Sequence, residues 1–218
     1  MGNLFSYDSP LIRGLNWLAD IVLLNILFLA SSLPIITIGA SITAMYYVTG
    51  RRLRNEGTLW KDYWHAFRSN WKSATLLWII SLAFGLLVGF GFFYYLLSTF
   101  HGVNFVLFLL GLAFCFWGGT SIWSFLLLSF FDNTVSQTIK NALRCSIVFF
   151  TKTVVAVILN MTPFVVLIAF TKEFFQASMF WLFFWFAFSA WLTLVLMKKP
   201  IARLKEKSLS ASCEDQKP

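Results

Sequence analysis

Hydrophobic positions in this chain come in long runs, without the strict alternation of a half-buried strand or the narrow stripe of a soluble amphipathic helix. Runs at about residues 15–33, 35–49, 74–98, 103–130, 146–170 and 174–197 are divided by short polar connectors. All but the second reach the roughly 18 residues needed to cross a hydrocarbon core about 30 Å thick. The pattern predicts an all-α fold, a polytopic transmembrane helical bundle of six spans forming one domain over residues 1–218.

The second run decides the topology. Ser31-Ser-Leu-Pro34 interrupts the apolar sequence; its serines can satisfy freed backbone groups, and Pro34 suits the first turn of a new helix. A turn or sharp kink is therefore expected, followed by a helix over 35–49 about 22 Å long by helical rise. One helix across 15–49 would be about 52 Å long, well beyond the bilayer core. Two alternatives to six spans remain: five spans with a bent first helix, or a re-entrant second segment buried among the others.

Between the second and third runs, Trp60, Trp64, Phe67 and Trp71 recur at helical spacing, while Lys61, Asp62, His65, Arg68 and Lys72 fall elsewhere on the wheel. This predicts a cytoplasmic amphipathic helix over 58–72, lying in the membrane interface or docking a partner. Gly85 and Gly89, four apart, are candidates for close helix packing. Asp20 and Asn25 are costly in lipid, so Asp20, near the start of its run, is expected to be solvated or to face protein. A short amphipathic helix suits the connector 131–145, and Asn160-Met-Thr162-Pro163 predicts a kink that Asn160 and Thr162 compensate locally.

Composition sharpens the class. The chain is 59% hydrophobic and only 12% charged, against about 25% charged in ordinary soluble domains. Its net charge of +8 would suggest nucleic acid in a soluble protein. Here the basic residues sit in short segments beside apolar runs, mainly 51–72, 140–144 and the tail 198–218, so nucleic acid is excluded as a partner. That distribution is the positive-inside signal, and it places both termini in the cytoplasm. Met1 to Leu11 has neither a basic n-region nor a cleavage site, so the first apolar segment is expected to stay as an anchor.

Chemistry is sparse. Cys115, Cys145 and Cys213 are odd in number and scattered, which points to neither disulfides nor a metal site. No nucleophile elbow, phosphate loop, dinucleotide fingerprint or zinc motif occurs, and the six-span topology puts His65 and His101 on opposite sides. The expectation is a protein that is not an enzyme, with no catalytic residue, cofactor or metal. The lipid bilayer is its first partner.

The sequence Leu33-Pro34-Ile-Ile-Thr37-Ile-Gly39-Ala40, continuing through Thr43-Ala-Met-Tyr-Tyr47 to Arg51-Arg-Leu-Arg54, resembles the hallmark of the YesL family. Similarity extends to the tryptophan-rich 60–71 segment and to the spacing of the later runs. That family comprises small bacterial membrane proteins, often encoded beside ABC importers and enzymes for complex carbohydrates. The resemblance implies a multi-pass protein of the bacterial cell membrane. It further implies an accessory role in carbohydrate uptake, with importer permease and ATPase subunits as partners. The connectors 51–72 and 132–144 lack the EAA-type coupling motif of an importer permease, which argues for an accessory subunit over a permease. An independent small-solute carrier or channel, and a membrane-bound regulator or scaffold, are the other readings. A polar cavity among the helices would favour transport, and a flat small-residue face would favour a partner.

Overall fold

A tight reversal at residues 33–37 sets the position of everything that follows. In the computed structural model, which describes residues 10–97, 104–169 and 181–214, Pro34 is extended (φ −76°, ψ 119°) and leads into a 3-10 turn, Ile35–Thr37. Thr37 Oγ1 is 2.7 Å from both the Ser31 and Pro34 carbonyl oxygens, so one hydroxyl serves the backbone groups that the reversal leaves open. The flanking helices α1 (Pro10–Ser32) and α2 (Ile38–Arg52) therefore run antiparallel.

Contacts at both ends of this hairpin confirm its register. Near the turn the Ser31 and Ser41 hydroxyls are 2.9 Å apart. At the far end Arg52 donates to Asp20 Oδ2 through Nε, at 2.8 Å, and through Nη2. Asp20 to Ser31 and Ser41 to Arg52 are equal lengths of helix, so the two partners stay level throughout.

Helix α2 is the centre of the molecule. It packs on α1, on α3 (Leu59–Leu97), on α4 (Asn104–Phe130) and on α7 (Phe186–Glu214). Ala40, Ser41, Thr43 and Ala44 have no exposed surface. Small residues permit this, since a Cβ on Gly39 would collide with the Ala74 carbonyl oxygen and come within 2.7 Å of Trp78 Cβ. At 15 residues α2 is an internal helix of about 22 Å; its surface is taken up by protein.

The segments expected as an interfacial helix and a separate third span form one helix, α3, of 39 residues. Nothing between Trp71 and Ala74 breaks a helix, as Lys72 and Ser73 are both tolerated there. Its first half buries Leu59, Tyr63, Ala66, Ala74 and Leu77 along one face. Its second half exposes Phe84, Leu86, Leu87, Phe90 and Phe93. So much open apolar surface suits hydrocarbon rather than water.

Thr134 and Gln137 form a capping box that starts α5 (Val135–Val148). At Phe149 the chain turns by 104° into α6 (Phe150–Ala169). Helix α6 continues through Pro163, and Asn160 Nδ2 donates to the Ala156 carbonyl at 2.8 Å. A π turn, Trp181–Trp185, leads into α7. This last helix does not stop at Lys198-Lys199-Pro200 but runs on to Glu214, with Pro200 buried inside it. The connectors expected at 99–102 and 171–173, and the start of the last run at 174–180, lie outside the described residues.

Among the described residues there are seven α-helices and no strand. Three helices are long and apolar enough to cross a membrane: Ile12–Ser32, Leu59–Tyr95 and Phe105–Phe130. The bent pair α5 and α6 makes a fourth if it counts as one span.

Candidate functional site

The charged end of the bundle is built from the last turn of α2. Arg51 and Arg52 stand where the helix dipole favours cations. Arg52 pairs with Asp20 on α1, while Arg51 donates to Asp62 on α3 at 2.9 Å and lies 5.9 Å from the Tyr47 ring centre. These partly exposed pairs contribute about 1 kcal/mol or less each, so their larger role is to fix which helix ends meet. The loop 53–58 beneath them holds Asn55 at φ 57° and Gly57 at φ 76°. A Cβ on Gly57 would collide with the Asp62 carboxylate and approach Arg51 Nε to 2.9 Å, so glycine is needed there for space as well as for backbone conformation.

Two more elements join this end. The Phe130 ring at the close of α4 rests on Gly50, and Lys205 on α7 places its Nζ 5.6 Å from the centre of the same ring. Arg13, Arg51, Arg52, Arg54 and Lys205, distant in sequence, thus gather at one end of the molecule. Between α1, α2 and α7 this end opens into a cleft of about 350 Å³. Arg13, Asn16, Asp20 and Arg52 line it together with the apolar Trp17, Ile21, Leu24 and Trp191. Trp17 meets Trp191 edge-on, with ring centres 5.3 Å apart, and its Nε1 is buried without a hydrogen-bond partner.

Buried polar groups tie the interior together. Asn25, with no exposed surface, accepts from the Ala187 backbone N–H at 2.9 Å, just after the π turn. The Tyr63 hydroxyl lies 2.5 Å from Ser31 Oγ, joining α3 to the hairpin. Asn160 Nδ2 is 3.3 Å from Thr193 Oγ1, and the Tyr46 side chain bonds the same threonine, which links α6, α7 and α2. Trp123 donates to Thr153 Oγ1 at 2.9 Å and stacks on Phe149, filling the elbow between α5 and α6. In the sequence Asn25 stands out as a polar group costly in lipid, and Asn160 as local compensation for Pro163. Nothing local in the sequence marks Tyr63, Trp123 or Thr193, because each pairs with a residue distant in the chain.

The motif residues Pro34, Thr37 and Gly39 form the reversal and the α2–α3 contact described above. In the aromatic stripe, Trp64 and Phe67 are half-buried against the core, while Trp60 and Trp71 are exposed. The buried face of that half-helix is Leu59, Tyr63 and Ala66, one position to the side of the stripe. Gly85 receives Trp117: an added Cβ would stand 2.5 Å from the indole ring, whose Nε1 donates to the Ser81 carbonyl at 2.8 Å. Gly89 has no neighbour within 4 Å of an added Cβ.

A second recess, of about 610 Å³, lies between α3, α4 and α5. Leu77, Phe84, Leu112, Phe116 and Ile139 line it together with Ser81, Thr120, Ser121 and Ser124. Ser81 and Ser121 are 2.7 Å apart and Thr120 donates to the Phe116 carbonyl, so hydroxyls here are satisfied within the protein. Among the described residues no cluster of three or more His, Cys, Asp or Glu side chains could hold a metal ion.

Taken together, a helical fold with several helices apolar enough to span a membrane, exposing apolar faces and gathering Arg13, Arg51, Arg52, Arg54 and Lys205 at one end, defines a membrane protein. Residues 21–92, about a third of the chain, match the family model described as "Protein of unknown function, DUF624". That match takes in the reversal, α2, the 53–58 loop and most of α3. No curated protein and no solved structure matches the chain.

Proposed function

We propose that this chain is a non-enzymatic accessory protein of the cell membrane that works by presenting a lateral face to a membrane-embedded partner. The observation that carries the reading is the placement of space. The bundle centre is filled by α2, whereas a recess of about 610 Å³ lies between α3 and α4. Exposed Gly89 and Gly111, at each of which an added Cβ would meet nothing within 4 Å, offer a close approach to a helix from another chain. The resemblance to the YesL family makes the partner a carbohydrate ABC importer, through its permease.

Recovery of the tagged protein from native membranes in a mild detergent tests this. Permease and ATPase subunits are expected in stoichiometric amounts. Solute flux through liposomes holding this chain alone, with no importer subunit ever recovered, would replace the reading by that of an independent carrier or channel.

Six crossings with both termini in the cytoplasm complete the proposal. Support comes from the convergence of Arg13, Arg51, Arg52, Arg54 and Lys205 on one end, which the positive-inside rule assigns to the cytoplasm. In a chain whose native cysteines are replaced, a cysteine at exposed Asn55 is expected to resist an impermeant thiol reagent in intact cells and to react after permeabilisation. Labelling in intact cells would reverse the orientation.

A further inference from the structure

We propose that the α1–α2 reversal is a membrane-inserting tip: Leu33, Ile35 and Ile36 enter the lipid of the cytoplasmic leaflet and the chain returns without emerging on the far side. This placement rests on the cytoplasmic side proposed for residues 51–72. It refines the count of crossings, because the first two helices then form a hairpin open to one face. Both termini keep their side, and the α3–α4 recess is untouched.

The tip has the chemistry of a lipid contact. Leu33, Ile35 and Ile36 are 83%, 67% and 61% exposed, and no charged or polar side chain stands among residues 33–36. Such a cluster ill suits an aqueous outer loop. Carbonyl groups of the turn are taken up inside the protein: Thr37 serves those of Ser31 and Pro34, Ser41 Oγ donates to that of Thr37 at 3.0 Å, and Ser31 Oγ to that of Leu27 at 2.8 Å. A shallow depth completes the match. The first N–H groups of a helix lack partners within it, and at the boundary of headgroups and acyl chains ester oxygens and water are at hand.

Register against α3 sets that depth. Gly39 abuts the Ala74 carbonyl and Trp78 Cβ, while Arg51 at the other end of α2 meets Asp62. Exposed Lys72 therefore stands only about 8 Å short of Ile36 along the helix axis, and exposed Arg68 about 6 Å further back. Beyond Trp78, α3 runs on to Leu97, about 28 Å by helical rise and close to the hydrocarbon thickness of about 30 Å. That stretch exposes Phe84, Leu86, Leu87, Phe90 and Phe93. Were the reversal on the far side, these side chains would stand in water and Arg68 in hydrocarbon. With the reversal at the near edge of the core, the cations meet headgroups and the apolar stretch meets lipid.

The test places single cysteines at exposed Asn55, Lys72 and Ile35 in the full chain with its native cysteines replaced. Each is treated with an impermeant thiol reagent before and after the cells are permeabilised. Asn55→Cys and Lys72→Cys are expected to react only after permeabilisation, and Ile35→Cys in neither state. In liposomes, a fluorophore on the Ile35→Cys variant is expected to be quenched by lipids brominated on their acyl chains and not by aqueous iodide. Labelling of Ile35→Cys or Lys72→Cys in intact cells, with Asn55→Cys still protected, would overturn the proposal in favour of a full crossing. Reaction of Ile35→Cys after permeabilisation, or quenching by iodide alone, would overturn the lipid contact. Labelling of Asn55→Cys in intact cells would overturn the orientation and with it the leaflet named here, while an unlabelled Ile35→Cys would keep the inserted tip.

Discussion

Replacing Trp123 by alanine is expected to lower stability by about 3 to 5 kcal/mol, the usual loss for a large aromatic removed from a packed interior. Trp123 has no exposed surface and stands in the inner angle of the 104° turn between α5 and α6. Its removal opens a cavity beside Phe149 and takes away one of the contacts between α4 and α6. Phenylalanine at the same position separates packing from hydrogen bonding. Thr153 Oγ1 still donates to the Phe149 carbonyl at 3.1 Å, so no donor is orphaned. The cost of Trp123→Phe should then be about 1 kcal/mol. Unfolding midpoints in mixed micelles, followed by helical circular dichroism, would measure both variants. A loss below about 1 kcal/mol for the alanine variant would show that the elbow does not depend on this side chain.

Gly39→Ala is expected to destabilise by about 1 to 3 kcal/mol, because the new methyl group has no room to shift. Its obstacles are the Ala74 carbonyl oxygen and Trp78 Cβ, which belong to α3 itself or stand next to its backbone. Helices α2 and α3 would have to separate, disturbing a contact in which Ala40, Ala44 and Ala74 are fully buried. Gly89→Ala is the matched control. With nothing within 4 Å of the added carbon, it should be neutral or gain up to about 1 kcal/mol from helix propensity. Equal effects at the two positions, in the same micelle assay, would contradict the packing described for α2.

The helices were legible because lipid-spanning runs and capping signals are local properties. Ala74 onward reads as apolar whatever surrounds it, and the connector 131–145 reads as a short amphipathic helix, which α5 supplies. The internal position of α2 was harder to read, since burial depends on neighbours. Its composition gave a sign nonetheless: Gly39, Ser41, Thr43 and Thr49 are small or hydroxylated where a lipid-facing helix carries Leu and Phe. The aromatic stripe misled by one position because periodicity weighs size and hydrophobicity alike. Packing preferred Tyr63, whose hydroxyl could reach Ser31, over the bulkier Trp60.

For Asn25 the need was visible and the partner was not. A buried amide among leucines must find a hydrogen bond, but the Ala187 N–H that it meets lies 162 residues away. The charged end shows the same division. The charge pattern predicts that the basic connectors share one side of the membrane, while the pairing of Arg52 with Asp20 and Arg51 with Asp62 required the hairpin to be folded.

The recess between α3 and α4 carries the functional account, and a photo-crosslinking residue placed at Phe84 on its wall tests that account most directly. Irradiation of native membranes should join the chain to one integral membrane protein, and mass spectrometry should identify an importer permease. Crosslinks confined to lipid, together with solute flux through liposomes containing this chain alone, would contradict it.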